Sequence, residues 1–276
     1  MSYRNNLNAT TLPAVSYLTA LARYRHLCFN LVGSDLRARF RRSRLGIIWA
    51  VIQPLGYSLV IAFTWAVVLR YESYWEFTMY LFSGLVVWEY FATVTSTSMD
   101  TLMRSGGYLR QARIPLLVFQ LRPPLTTMAV AVFGTIGVFV MLLILGRMPE
   151  PGLHLLGVPI ALAALFVFSI PLAVLMSIVG AQFRDANHIV QLSLQALFFL
   201  SPIMLPKEVL DQPNLQLLNT LNPLSPLIQL FRDPIINGVW IQQTDLISVG
   251  IWTLVLALCA ILASSVYGRR IIFLLS

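Results

Sequence analysis

The sequence predicts an all-α integral membrane protein: six transmembrane helices, an N-terminal amphipathic interface helix, and an external re-entrant helical hairpin before the last span. Three observations predict it. Hydrophobic residues make up 58% of the 276-residue chain and charged residues only 11%, where a soluble domain is about a quarter charged. Mean hydropathy is +0.76. Charge-poor runs of about 20 residues, the length that crosses a bilayer core, recur from one end of the chain to the other. With no shift in composition, residues 1–276 read as a single membrane domain.

The segment 1–44 is cytoplasmic and interfacial in this reading. Met1 to Pro13 is polar and lacks the apolar core of a cleavable signal peptide. Leu21, Tyr24, Leu27, Cys28 and Leu31 then fall at helical spacing, with Arg23, Arg25 and Asn30 between them. This pattern predicts an amphipathic helix lying in the membrane interface. Gly33-Ser34 predicts a break, with Ser34 capping a second helix from Asp35. Arg37, Arg39, Arg41, Arg42 and Arg44 then meet a stretch without charge from Leu45 to Leu69, the first span (45–69).

The second span, 77–99, holds one acid, Glu89. A carboxylate there either bonds to polar groups of a neighbouring helix, stays neutral, or faces a wet conduit. The loop 102–122 is basic, and its breaks at Gly106-Gly107 and Pro115 enclose about one to two turns of helix between Tyr108 and Arg113. The third, fourth and fifth spans are 123–146, 155–183 and 186–206. Gln212 to Phe231 also lacks charge, but it carries Pro213, Asn214, Gln216, Asn219, Asn222, Pro223, Pro226 and Gln229. Such groups find no water in lipid, so residues 207–240 read as external helices rather than a seventh span. The sixth span is 246–268.

Six spans place both termini on one side, together with 15 of the 19 basic residues; Arg70, Arg147, Lys207 and Arg232 fall on the other. The positive-inside rule makes the first side cytoplasmic. Tyr71, Tyr74, Trp75 and Trp240 then sit at outer boundaries, where interfacial aromatics belong. The net charge of +8 lies beside the membrane segments and does not point to nucleic acid.

Much chemistry is excluded. The one lysine, Lys207, follows Pro206, so no Gly-Lys phosphate loop exists. No Asp-x-Asp pair is present, and His26, His154 and His188 are scattered without metal-ligand spacing. Cys28 and Cys259 read as reduced structural residues. No nucleophile stands next to a base. The chain reads as a non-enzyme with no cofactor of its own; to work against a gradient it must draw its energy from an ion or from another subunit.

Residues 35–54 read DLRARFRRSRLGIIWAVIQP. Ser43, Leu45, Gly46, Trp49 and Pro54 resemble the signature of permease subunits of type 2 ABC exporters for lipid-linked polysaccharide, the O-antigen, capsule and teichoic-acid family. Further resemblances follow in order: Arg113-Ile114-Pro115, with Ile where the family has an aromatic; Phe183-Arg184-Asp185; Ser201-Pro202-Ile203; then Asn222-Pro223 and Phe231-Arg232. The similarity runs from about Leu18 to the C-terminus. It implies a homodimer with two ATP-binding cassette subunits that bind ATP and Mg, docked on the loop 102–122, in the bacterial inner membrane. The cargo it implies is an undecaprenyl-diphosphate-linked, O-antigen-like polysaccharide of lipopolysaccharide biosynthesis. It also implies that Asn222, Pro223 and Arg232 belong to an external gate.

On that resemblance, Arg39, Arg41, Arg42 and Arg44 are candidates for the diphosphate headgroup, since guanidinium groups bind phosphate bidentately; setting topology and touching anionic lipid is the alternative. Tyr57, Trp65, Tyr80, Trp88, Glu89, Tyr90, Phe91, Phe198 and Phe199 are candidates for a glycan conduit, because sugar C–H faces stack on rings; core packing is the alternative. Tyr108, Arg110 and Arg113 are candidates for ATPase docking. An exporter of a small lipid or drug would share the topology. A membrane glycosyltransferase or a scaffold is a reading from a different class, and the missing acids and metal motif disfavour the first.

Overall fold

The computed structural model describes residues 23–41, 43–69, 74–111, 114–183, 185–204, 212 and 216–275. Among the described residues the structure is helical throughout. In chain order the helices are α1 (Arg25–Phe40), α2 (Trp49–Leu69), α3 (Tyr74–Arg104), α4 (Gly106–Gln111), α5 (Leu116–Gln120), α6 (Arg122–Ile144), α7 (Gly157–Gln182), α8 (Ala186–Leu200), α9 (Gln216–Leu221), α10 (Leu224–Arg232) and α11 (Gln243–Leu275). Tight 3-10 turns at Gly46–Ile48 and Leu153–Leu156 lead into α2 and α7, and a π turn at Asp233–Asn237 follows α10.

Among the described residues, five stretches are long and apolar enough to cross a bilayer: Gly46–Trp65, Tyr74–Tyr108, Leu116–Ile144, Leu153–Gln182 and Gln243–Tyr267. They correspond to the first, second, third, fourth and sixth predicted spans. The fifth is the shorter helix α8, 15 residues and so about 22 Å long. It stops where Ser201 turns extended ahead of Pro202, because the proline ring disfavours helical geometry in the residue before it. The Ser201 hydroxyl donates to the Leu197 carbonyl at 2.6 Å and closes the helix end.

Helix α3 is the hub, packing against α2, α6, α7, α8 and α10. Its 31 residues span about 46 Å, well beyond the expected 77–99. The extra turns hold because Ser98, Met99, Thr101 and Leu102 are buried at the arginine-rich end of the bundle. The main core joins Phe82, Leu85 and Val86 of α3 to Leu165, Phe168 and Leu172 of α7 and to Leu227, Ile228 and Phe231 of α10. Helices α3 and α7 cross at Gly180, where an added Cβ would lie 2.1 Å from the Met99 carbonyl oxygen. By contrast α2 and α11 expose rows of apolar side chains, among them Val60, Phe63, Leu254, Leu258 and Ile261. Apolar surface on this scale needs lipid or a partner to cover it.

Helix α1 corrects one expectation. It runs without a break through Gly33-Ser34, so Ser34 does not cap a second helix. A mid-helix glycine costs about 1 kcal/mol relative to alanine, and tertiary contacts offset it. Leu31 packs into a small core with Leu102, Phe119 and Ile178. Arg122 of α6 donates to both carboxylate oxygens of Asp35, at 3.1 and 2.6 Å. Reversing either charge, Asp35→Arg or Arg122→Asp, is expected to loosen α1 by on the order of 1 kcal/mol, the scale of a part-exposed ion pair. Combining the two should restore it, which limited proteolysis in detergent would read out.

Candidate functional site

The residues singled out from the sequence fall into three places. The first is the junction of α1 and α2. Gly46 sits at φ +53°, a left-handed conformation that glycine accepts without cost. It opens the 3-10 turn, and the Trp49 indole N–H donates to the Ser43 hydroxyl at 3.0 Å, closing the loop around it. The Ser-x-Leu-Gly-x-x-Trp pattern is thus a clip that fixes where the arginine-rich helix ends and the first span starts. Arg39, Arg41 and Arg44 are all exposed around this clip. Arg42 lies outside the described residues.

Above the clip, Arg39, Phe40, Trp49, Gln53, Glu89 and Thr93 line one cleft between α1, α2, α3 and α6. Arg39 and Glu89, a base and an acid, both line it. The sequence placed these two residues in different roles, headgroup and conduit; the fold gives them a shared wall. Glu89 stands 15 residues along α3 from Tyr74, about 22 Å, so it lies at the middle of the helix.

The predicted conduit aromatics do not form one line. Tyr90 is buried and its hydroxyl shares a 2.6 Å hydrogen bond with that of Ser169 on α7. Phe91 is also buried, its ring 6.3 Å from that of Phe168. Both are core residues in this fold, although Tyr90 borders the cleft. Trp88 meets Phe198 edge to face at 5.2 Å, and Phe198 meets Phe199 at 5.4 Å. This ladder ends on Phe199, which is exposed, as is Tyr57 on α2. Trp65 packs on Ala62, Phe77 and Leu81. At the predicted docking loop, Tyr108 is half exposed on α4 with its ring 6.0 Å from Phe119. Arg110 is described only by its backbone within α4, and Arg113 lies outside the described residues.

The third place is at the opposite end, where three of the sequence motifs converge. Asn222 donates from its amide nitrogen to the Leu200 carbonyl (3.1 Å) and the Ser201 hydroxyl (2.8 Å), while its amide oxygen accepts from the Leu224 N–H (2.9 Å) at the start of α10. Pro223 sits between these bonds at the helix start. Arg232, read from the sequence as an outer loop charge, is buried with 1% exposure. It donates to the Ser83 hydroxyl (3.2 Å), the Pro202 carbonyl (2.9 Å) and the Tyr80 carbonyl (3.0 Å), and its guanidinium lies 3.5 Å from the Tyr80 ring centroid. The neighbouring Asp233, also buried, supplies opposite charge. Gly84 leaves room for this: an added Cβ would lie 2.7 Å from the guanidinium. Asn222 and Arg232 therefore clamp α10 onto α3 and onto the chain leaving α8. The sequence did not reveal Ser83, Gly84 or Asp35 as partners. The small pair Ser83-Gly84 within an apolar run was the one available signal for the first two.

The sequence model of ABC-2 type transporters matches residues 26–236. The chain is 27% identical over 213 residues to the O-antigen export system permease protein RfbA of Myxococcus xanthus, covering 77% of this chain and 81% of that one. It is 24% identical over 208 residues to the RfbA of Klebsiella pneumoniae, covering 75% and 79%. It is 22% identical over 228 residues to the polysialic acid transport protein KpsM of Escherichia coli, covering 80% and 85%. The family match takes in the α1–α2 clip, the cleft, the loop 102–122 and the clamp at Asn222 and Arg232, and the chain belongs to the ABC-2 type transporter family.

Proposed function

We propose that this chain is the transmembrane subunit of an ATP-driven exporter that carries undecaprenyl-diphosphate-linked polysaccharide across the bacterial inner membrane. The observation that carries this reading is its likeness, over about three quarters of its length, to permeases named for O-antigen and polysialic acid transport. The geometry supports it. Arg39 lines a cleft that also holds the Glu89 carboxylate, at the point where the first apolar span begins, and Arg41 and Arg44 are exposed a few residues further along the chain.

In this reading the arginine end is cytoplasmic, both termini lie there, and α8 with the turn after it completes a sixth span. The enclosed helix α10 is re-entrant: its backbone enters the membrane only within protein, which satisfies its polar groups. Two copies of the chain pair through apolar faces left bare on α2, at Val60 and Phe63, and on α8, at Ile189 and Leu192. Two ATP-binding cassette subunits, holding ATP and Mg, dock on α4 and the loop around it. Arg39, Arg41, Arg42 and Arg44 receive the diphosphate, and Trp88, Phe198, Phe199 and Tyr57 offer rings to the passing glycan. Asn222, Pro223 and Arg232 hold the outer hairpin in position.

Pull-down of the chain from native membranes tests the assignment: a P-loop ATPase and a lipid-linked glycan should both co-purify. Deleting residues 106–113 is expected to lose the ATPase and keep the glycan lipid. An ATPase that stays bound would refute the docking assignment. Arg39→Glu should leave insertion intact and lower glycan export at least tenfold, a loss of about 1.4 kcal/mol in phosphate binding. Wild-type export with Glu at positions 39, 42 and 44 together would remove the arginines from the headgroup site.

A further inference from the structure

A second cavity, of about 690 Å³, opens at the end of the bundle opposite the arginines, between the start of α3, the end of α6 and the π turn after α10. Small-molecule sites run from roughly 300 to 1,000 Å³. Its floor is apolar: Met79, Leu142 and Ile235 are all buried. Its rim is charged in both senses. Glu76 and Arg147 form an ion pair there, with side chains 62% and 49% exposed. Asn237 stands on the same rim; its amide nitrogen donates to Asp233 at 2.8 Å, and its amide oxygen is a further acceptor. Close to the mouth along α6, Val140, Leu143 and Ile144 are exposed, and Trp75 is exposed on α3. That mixture of apolar side chains and an indole is what the bilayer interface favours.

We propose that this cavity holds the headgroup of a zwitterionic phospholipid. Its primary ammonium would donate to Glu76 and Asn237, its phosphate would accept from Arg147, and one acyl chain would follow Val140 and Ile144 along α6. The assignment follows from charge complementarity. One rim carrying an acid and a base matches a headgroup carrying both charges, and it repels the single charge of an anionic lipid at Glu76. A neutral sugar could hydrogen-bond to both groups but carries no charge to match either, and it would rest on a floor of aliphatic side chains. A half-exposed ion pair is worth little against water, so exchanging it for a headgroup costs little. Occupancy also bears on the clamp: Tyr80 lines the cavity and carries the Arg232 guanidinium on its ring, and the π turn that walls the cavity begins at the residue after Arg232. A bound lipid would brace both. The proposal rests on the bundle crossing a bilayer, and not on the identity of the cargo.

Native mass spectrometry of the delipidated full chain, titrated with phosphatidylethanolamine or phosphatidylglycerol in a mild detergent, tests it without any transport readout. The wild type is expected to retain the ethanolamine lipid about fivefold over the glycerol lipid, the scale of one exposed charge contact. Glu76→Gln, which keeps the side-chain shape, should bring the two lipids level, and Glu76→Lys should reverse the preference. Equal retention of both lipids by the wild type would overturn the proposal, as would an unchanged preference in Glu76→Lys. Displacement of phosphatidylethanolamine by a neutral oligosaccharide would also overturn it, in favour of a glycan subsite. Export could fail in every variant without touching these outcomes, so the cargo assignment and the lipid site are judged separately.

Discussion

Arg232→Ala is expected to free α10 from its socket and to cost about 3 to 5 kcal/mol, the range for breaking a buried charged network. Three acceptors lose their donor at once: the Ser83 hydroxyl and the carbonyls of Pro202 and Tyr80. The Asp233 carboxylate loses its neighbouring positive charge in the same step. Arg232→Lys should recover only part of this, because an ammonium cannot reach three acceptors from the planar fork of a guanidinium or lie flat on the Tyr80 ring. Gly84→Ala attacks the same clamp from the other side, by placing a methyl group 2.7 Å from the guanidinium. Thermal unfolding of the detergent-solubilised chain reads all of these. If Gly84 acts through Arg232, then Gly84→Ala should cost far less in an Arg232→Ala background than in the wild type. Additive losses would show that the two residues act separately.

The second large effect is expected at Gly180. Its missing side chain lets α3 and α7 approach until their backbones touch at the Met99 carbonyl. An alanine Cβ would lie 2.1 Å from that oxygen, and a backbone atom cannot swing away as a side chain can. The two helices would have to separate along a crossing that carries much of the main core. Gly180→Ala is expected to cost on the order of 3 kcal/mol, the upper part of the usual range for overpacking. Gly180→Leu should abolish stable assembly. Gly250, where an added Cβ meets nothing within 4 Å, is the control: Gly250→Ala should leave the melting temperature unchanged or raise it. A Gly180→Ala chain as stable as the wild type would mean that the crossing is looser than its geometry states.

The long apolar runs and the junction of the arginines with the first span were legible in the sequence, because lipid selects for continuous hydrophobicity. The turn at that junction was not predicted, although Ser43, Gly46 and Trp49, which form it, lie within seven positions. What escaped the sequence depends on pairs far apart. Asp35 and Arg122 are 87 residues apart, and Arg232 and Ser83 are 149 apart. Nothing local distinguishes a buried arginine from one in a loop, and Arg232 follows a polar, proline-rich stretch that suggests exposure. Glu89 was visible as an intramembrane acid, yet the cleft it shares with Arg39 was not, because that cleft forms only once α1 is packed against α6. Gly33-Ser34 misled for the opposite reason: a local breaker signal gave way to burial of Leu31 and the ion pair at Asp35.

The enclosure of α10 also constrains how the protein is made. Its walls come from α3 and α7, which precede it in the chain, and from α11, which follows it. A ribosome delivers the hairpin to the insertion machinery before the last span exists, so for that interval one side of the pocket is missing. During biogenesis the hairpin must wait at the interface or be sheltered by the translocon until α11 arrives. The last span is then the latch of an assembly step, and chains truncated before Gln243 should reach the membrane yet fall to its quality-control proteases.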